Sequence, residues 1–356
     1  MRSGIVGRVL RAAVLVAVGS TAGIVIAEIG LRAVGFSARI ERPQSGIFSH
    51  MTEYDPVLSR RNHPGYADAA LGIRIDSLGF RGDEVTLDKP PGRVRIVCLG
   101  DSATFGVYRT ATGNRFDGSY PDALARLAQG DGHANVEVVN AGVLGTTSAE
   151  GLVLLLVRVR RLAPDVLVVR FGNNDHARRW PRDTTPLGSD REYALLHDLP
   201  PRVFDLEIAS LLFHAYRQAV AARRAPASIR LSTEEFETNL HRFVEVGREI
   251  GARVLFVDFP YRDVARGLSP GDVLPNPLVD VDSIEALFAL HARYERVVER
   301  VATSTGTPLV RTAAALHAIE TEAFNDYDVT HPTLAGQRVI ARAVLDEIER
   351  EGVLPR

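Results

Sequence analysis

Ile96-Val97-Cys98-Leu99-Gly100-Asp101-Ser102 is an apolar run that stops on a small residue, an acid and a serine. A short apolar run bounded by glycine reads as a buried strand, here delivering a serine to the mouth of an α/β domain. Its opposite number lies near the C-terminus, at Asp328-Val329-Thr330-His331. A serine hydroxyl is a poor nucleophile until a base stands within hydrogen-bond reach. His331 is the candidate base, and Asp328, three residues earlier, can hold its other ring nitrogen. Taken locally, Asp328 is also a plausible helix cap and His331 a surface residue. Together the two ends suggest a hydrolase that attacks acyl groups.

Working outward, Val136–Val139, Val166–Val169, Val254–Val257 and Pro308–Val310 repeat the strand pattern of Val94–Leu99. Helical patterns lie between them: 118–127, 149–161, 233–250, 283–303 and, after Pro332, 334–349. Ser232 with Glu235 has capping-box spacing, a hydroxyl for an orphan amide and an acid three residues on. Short apolar strands alternating with helices predict a parallel sheet covered on both faces. Sites in such sheets form at the carboxyl ends of the strands. Gly100-Asp101-Ser102, Asn140-Ala141-Gly142 and Gly172-Asn173-Asn174-Asp175 each follow a strand and should converge on one edge. A long departure from short connections spans 176–230; within it 206–223 reads as a helix with Leu211, Leu212, Ala215, Ala219 and Ala222 on one face.

The chain has 356 residues, 46% apolar and 24% charged, enough for a large domain with a real core. A net charge of -2 gives no global sign of a nucleic-acid partner. The one cysteine, Cys98, reads as a small buried hydrophobe and excludes an internal disulfide. Residues Ala12 to Ala27 carry no charge and follow Arg2, Arg8 and Arg11. Besides a buried or surface helix, two readings of this segment stand. One is a membrane anchor with a cytoplasmic tail and an exported domain; the other is a cleaved signal peptide with small residues before Glu28. From 35 to 92 the chain is irregular and rich in proline, yet Phe36, Ile47, Phe48, Leu58, Ile73, Ile75 and Phe80 are too apolar for a free linker. The expected organisation is a membrane segment at 1–34, an ordered leash or flap at 35–92, and the catalytic domain at 93–356 with an insertion at 176–230.

Acyl transfer needs donors aimed where negative charge develops. The amide of Ser102, the amide of Gly142 and the side-chain amide of Asn174 are candidates, with Asn173 as a rival for the last. Asp101 and Asp175 read as structural acids that accept backbone amides. His176 is a candidate pocket residue, and Arg178-Arg179-Trp180 either meets an anionic or carbohydrate substrate or forms a solvated loop. No zinc-type spacing, phosphate loop or Gly-x-Ser-x-Gly elbow occurs, so no metal or cofactor is expected.

Gly100-Asp101-Ser102 with Thr104 and Gly106, Asn140-x-Gly142-x-x-Gly145, Gly172-x-Asn174-Asp175 and Asp328-x-x-His331-Pro332 with Gly336 stand in order along residues 93 to 350. In these four blocks the chain resembles the SGNH hydrolases, or GDSL esterase/lipase family. Glu28 and Arg32 after the apolar segment, and Asp76-Ser77-Leu78-Gly79-Phe80-Arg81-Gly82, resemble its membrane-anchored bacterial members. The resemblance implies a flavodoxin-like three-layer αβα sandwich with a five-stranded parallel sheet. It implies Ser102 as nucleophile, His331 as base and Asp328 as its partner. It implies an oxyanion hole of Ser102, Gly142 and Asn174, which selects Asn174 over Asn173. The expected substrate is a small-molecule or glycan ester, cleaved at an acetyl or short acyl group. An O-acyltransferase acting on an envelope polysaccharide would use the same residues. The expected location is the membrane, with the catalytic domain periplasmic or at the cell surface, or secretion if the segment is cleaved.

Overall fold

The computed structural model describes residues 2–37, 50–110, 112–178, 190–223, 229–262, 283–325 and 328–354. The expectations for Ile47, Phe48, Arg179 and Trp180 lie outside the described residues.

Helix α1 (Arg2–Ala33) opens the chain. Its Ala13–Ala33 stretch is long and apolar enough to cross a bilayer, and none of it is buried against the protein. By length and composition it suits a signal anchor or a signal peptide. Two small antiparallel pairs follow, β1 (Thr52–Asp55) with β2 (Ser59–Asn62) and β3 (Ala67–Asp68) with β4 (Ile73–Arg74). Then come β5 (Val94–Gly100), α2 (Ser102–Phe105), a hairpin of β6 (Tyr108–Thr110) and β7 (Gly113–Arg115), α3 (Tyr120–Gly130), β8 (Val136–Gly142) and α4 (Ser148–Val157). A 3₁₀ turn at Val159–Leu162 leads into β9 (Val166–Arg170). The insertion holds α5 (Asp190–Asp198) and α6 (Glu207–Arg223). The chain continues through α7 (Thr233–Glu249), β10 (Arg253–Val257), α8 (Ile284–Thr305), β11 (Leu309–Val310), α9 (Ala313–Ala318), α10 (Glu320–Ala323) and α11 (Leu334–Arg350).

The five long-range strands form one parallel sheet in the order β11-β10-β9-β5-β8. Strand side chains alternate between faces, and the core divides accordingly. Val97, Leu99, Val139, Leu167, Val169, Val254 and Phe256 face α4, α7 and α8. Ile96, Cys98, Val166, Val168, Leu255, Val257 and Val310 face α3 and α11. The result is three layers, helix on sheet on helix. From β5 the chain steps to the β8 edge and then back across to β9, so the order reverses at β5 and opens a crevice at its carboxyl end.

Residues 50–92 pack on the domain. Val57, Leu58, Phe80 and Val85 join the core on the α4 side, and Met51, Ile73 and Ile75 cluster with Phe105, Val107 and Phe116. Helix α4 ends at Val157 instead of running on to 161, because the next turn tightens to 3₁₀ before Ala163 takes a left-handed conformation.

Candidate active site

Strand β5 ends where only glycine fits. A Cβ on Gly100 would lie 2.0 Å from Thr104 Oγ1 and 2.7 Å from the Arg170 carbonyl oxygen. Asp101 caps α2, its Oδ1 accepting the Ala103 amide at 2.9 Å. Ser102 is therefore the first residue of a short helix, among the amides that no helical carbonyl can satisfy. The turn is braced by the 76–82 segment. The Arg81 amide donates to the Asn140 carbonyl at 3.0 Å, and its guanidinium donates to the carbonyls of Phe105 and Phe116 while lying 4.9 Å over the Phe105 ring.

The late loop brings its own geometry. Asp328 Oδ1 accepts the Thr330 and His331 amides at 2.9 and 3.1 Å, which leaves Oδ2 for the ring. His331 Nδ1 lies 2.7 Å from Asp328 Oδ2, and its Nε2 lies 2.8 Å from Ser102 Oγ. With Nδ1–H donating to the carboxylate, Nε2 is left to accept the serine proton. Gly336 lets this loop close against the last helix, since a Cβ there would lie 2.7 Å from Pro332.

Burial works against charge on both partners, and their pairing overrides it. Asp328 is held below the ordinary carboxylate range by His331 and the two amides, against the cost of burial. His331 is raised above an ordinary histidine despite burial, because Asp328 and then Asp101 favour its charged form while Arg170 opposes it. Asp101 itself is pushed up by burial, which Arg170 and the Ala103 amide only partly offset.

The oxyanion candidates differ in what they have free. Among the described residues the Ser102 amide has no acceptor. The Gly142 amide already donates to Asn140 Oδ1 at 3.0 Å. A Cβ at 142 would lie 2.3 Å from the Phe105 amide nitrogen, so this glycine serves the close approach of α2 to β8. That departs from the sequence expectation of Gly142 as a donor. The adjacent Gly145, with φ of 75°, presents an amide with no partner among the described residues. Its signal was already present as the last glycine of Asn140-x-Gly142-x-x-Gly145. Asn174 points its side-chain amide into the same corner, donating to the Thr146 carbonyl at 3.0 Å and to Asp101 Oδ2 at 3.3 Å.

Two further residues singled out in the sequence have partners in the core. Asp175 is buried and accepts the Ser148 amide at 3.0 Å, tying the end of β9 to α4. His176 is fully buried: its Nε2 lies 3.2 Å from His291 Nδ1 and 3.4 Å from the Tyr261 hydroxyl, and burial lowers it to about 4. Sequence reasoning missed Arg170, the buried last residue of β9, whose charge opposes the proton on His331. An arginine closing an otherwise apolar strand was the available signal. Cys98 is buried and pushed up to about 12, as an inert core thiol. No group of three or more metal-type ligands occurs among the described residues.

Comparison with curated proteins finds no match. Among solved structures the chain is similar to a lipase/acylhydrolase from Enterococcus faecalis, at 20% identity and a TM-score of 0.46, covering 74% of this chain and 97% of that one. It is also similar to an acetylxylan esterase from Geobacillus stearothermophilus, at 20% identity and a TM-score of 0.44, covering 72% and 94%. The model of the GDSL-like Lipase/Acylhydrolase family matches residues 98–339, from the strand that carries Ser102 into the helix beyond His331. That span takes in the whole parallel sheet from the middle of its first strand, and by it the chain belongs to the GDSL-like lipase/acylhydrolase family, as an SGNH-type serine esterase.

Proposed function

We propose that this protein is a membrane-anchored esterase that removes acetyl or other short acyl groups through an acyl-enzyme on Ser102. The observation that carries the reading is the hydrogen-bonded chain Ser102–His331–Asp328 at the carboxyl edge of the sheet. His331 takes the serine proton as Oγ attacks the ester carbonyl, and Asp328 stabilises the imidazolium that forms. The oxyanion rests on the amides of Ser102 and Gly145 and on Asn174 Nδ2, which exchanges its longer bond to Asp101 for the substrate oxygen. The alcohol leaves with the proton from His331, and water then resolves the acyl-enzyme by the reverse proton path. Polar groups around the serine, among them Asp101, Asn174 and Thr146, suit a small acyl group better than a long apolar chain. We place the N-terminus in the cytoplasm and the catalytic domain outside it on Arg2, Arg8 and Arg11 before the apolar stretch, which Arg32, Arg39 and Arg42 after it match in number.

The test is turnover of a panel of acyl esters by the full chain and by Ser102→Ala, with acetylated glycans included. Loss of turnover in a folded Ser102→Ala protein is expected, with acetyl esters preferred. Retained turnover would end the mechanism. Product analysis with a glycan acceptor present separates hydrolysis from transfer: acylated glycan forming faster than free acid would replace water by a hydroxyl in the last step.

A further inference from the structure

Beyond α1, the large apolar residues exposed among the described residues are Val34, Leu87, Leu195, Leu211, Leu212 and Tyr216. Val34 immediately follows α1, and Leu211, Leu212 and Tyr216 lie on α6. The two helices meet at a polar joint. The Glu28 carboxylate accepts the Glu207 and Ile208 amides, both at 3.1 Å, where the start of α6 has amides to spare. Arg32 Nε holds Glu28 at 2.7 Å, and its Nη2 reaches the Asp205 carbonyl at 3.1 Å. Ser37 closes the joint by donating its amide to the Glu207 carboxylate at 3.1 Å.

The joint fixes the level of α6 against a bilayer. The uncharged run ends at Ala27, one residue before Glu28. A helix rises about 1.5 Å per residue, and the headgroup layer is roughly 5–8 Å thick on each side of the hydrocarbon. The start of α6 therefore falls in the headgroup layer. From there α6 buries Ala209, Phe213 and Arg217 against the domain. Phe213 meets Phe204 edge-on, and Arg217 pairs with Glu192 at 3.0 Å. Over 211–222 the opposite side exposes Leu211, Leu212, Ala215, Tyr216, Ala219 and Ala222, with Gln218 the one polar residue between them and no charge among these described side chains. A helix facing water would carry charges on that side.

We infer that this side of α6 seats on the lipid bilayer beside the membrane-spanning helix and holds the catalytic domain against the membrane surface. The occupant follows from continuity: an apolar face without charge over its described residues 211–222 begins at the point where an apolar helix leaves the hydrocarbon, and Tyr216 stands on that same face. Leu212, at 64% exposed the most open large apolar residue outside α1 among the described residues, is the centre of the contact. The inference rests on α1 as an anchor, so the experiment reads the two separately.

Cys98 is buried, so an introduced cysteine carries an NBD fluorophore without competition. The full chain is reconstituted in phosphatidylcholine vesicles, with or without brominated acyl chains, as Leu212→Cys, Val18→Cys and Arg342→Cys. Arg342 lies on α11, in the layer across the sheet from the core that receives Phe213. Turnover of a soluble ester reports folding of each labelled protein. The expected result is bromolipid quenching at 212 comparable to that at 18, with none at 342. Quenching at 18 with 212 behaving like 342 overturns the docking while the anchor stands. No quenching at 18 overturns the anchor and the docking with it. A blue shift at 212 without bromine quenching, together with a crosslinked dimer, assigns the face to a second copy and overturns the lipid contact.

Discussion

At the residue scale the chemistry depends on a proton that His331 must be free to accept. Asp328 and Asp101 raise its affinity for that proton above an ordinary histidine, so it binds one at pH values where a free imidazole would not. Only the neutral ring can act as base. The kcat/KM of the esterase should therefore rise with pH through a midpoint above about 6.5. Asp328→Asn should move that midpoint down and lower kcat roughly 10³- to 10⁴-fold, since the ring then loses its orienting partner. A pH–rate profile of both proteins checks this, and an unchanged midpoint would count against the pairing. Asn174→Ala removes a donor fixed by Thr146 and Asp101, and should lower kcat by about 10²- to 10³-fold with little change in KM. The same assay on Gly142→Ala should report a folding defect instead, because its new Cβ would meet the Phe105 backbone, which cannot yield. Thermal melting separates the two outcomes.

At the element scale, what was legible in the sequence was what local chemistry determines. The five strands stand out because each is apolar on both faces, and the start of α7 because Ser232 and Glu235 satisfy each other's end of a capping box, with the Glu235 amide 3.2 Å from Ser232 Oγ. The hairpins at 52–62 and 108–115 were not legible: their strands are short and polar, and long-range contacts such as Asn62 to the Gly142 carbonyl at 2.9 Å hold the first in place. Gly142 misled for a related reason. A glycine kept for close helix approach looks in sequence like one kept for substrate approach. The Asp175 carboxyl, read as structural, joins β9 to α4, and burial raises it to about 7 in spite of the Ser148 bonds. A folded-state pKa above the unfolded one means the native protein keeps a proton the unfolded chain has lost. Stability from this group is thus full below about pH 4 and falls as pH rises to about 7, by on the order of a few kcal/mol. Asp175→Asn should flatten that part of the pH dependence of the melting temperature. An identical slope in wild type and variant would exclude Asp175 as its source.

At the scale of the whole molecule, the buried core and helix α1 are separable. Among the described residues the buried hydrophobic set begins at Met51, and α1 touches the domain through Glu28 and Arg32 on the 205–208 segment. The sequence carried both ends of that joint, but nothing local to Glu28 says that its carboxylate meets amides 179 and 180 residues away. Exposed polar joints of this kind contribute about 0–1 kcal/mol per ion pair. A chain beginning near residue 50 should therefore melt within a few degrees of the full chain, hydrolyse a soluble acetyl ester at a similar rate, and no longer sediment with membranes. Topology adds the other half. The proposed orientation keeps the N-terminus in the cytoplasm, with Arg2, Arg8 and Arg11 before the apolar stretch and Arg32, Arg39 and Arg42 after it. A reporter fused after Arg356 should then read as outside the cytoplasm in cells expressing the full chain. A cytoplasmic signal from a membrane-bound, active fusion would reverse the orientation, placing Ser102 and its substrate on the inner side while leaving the site chemistry intact.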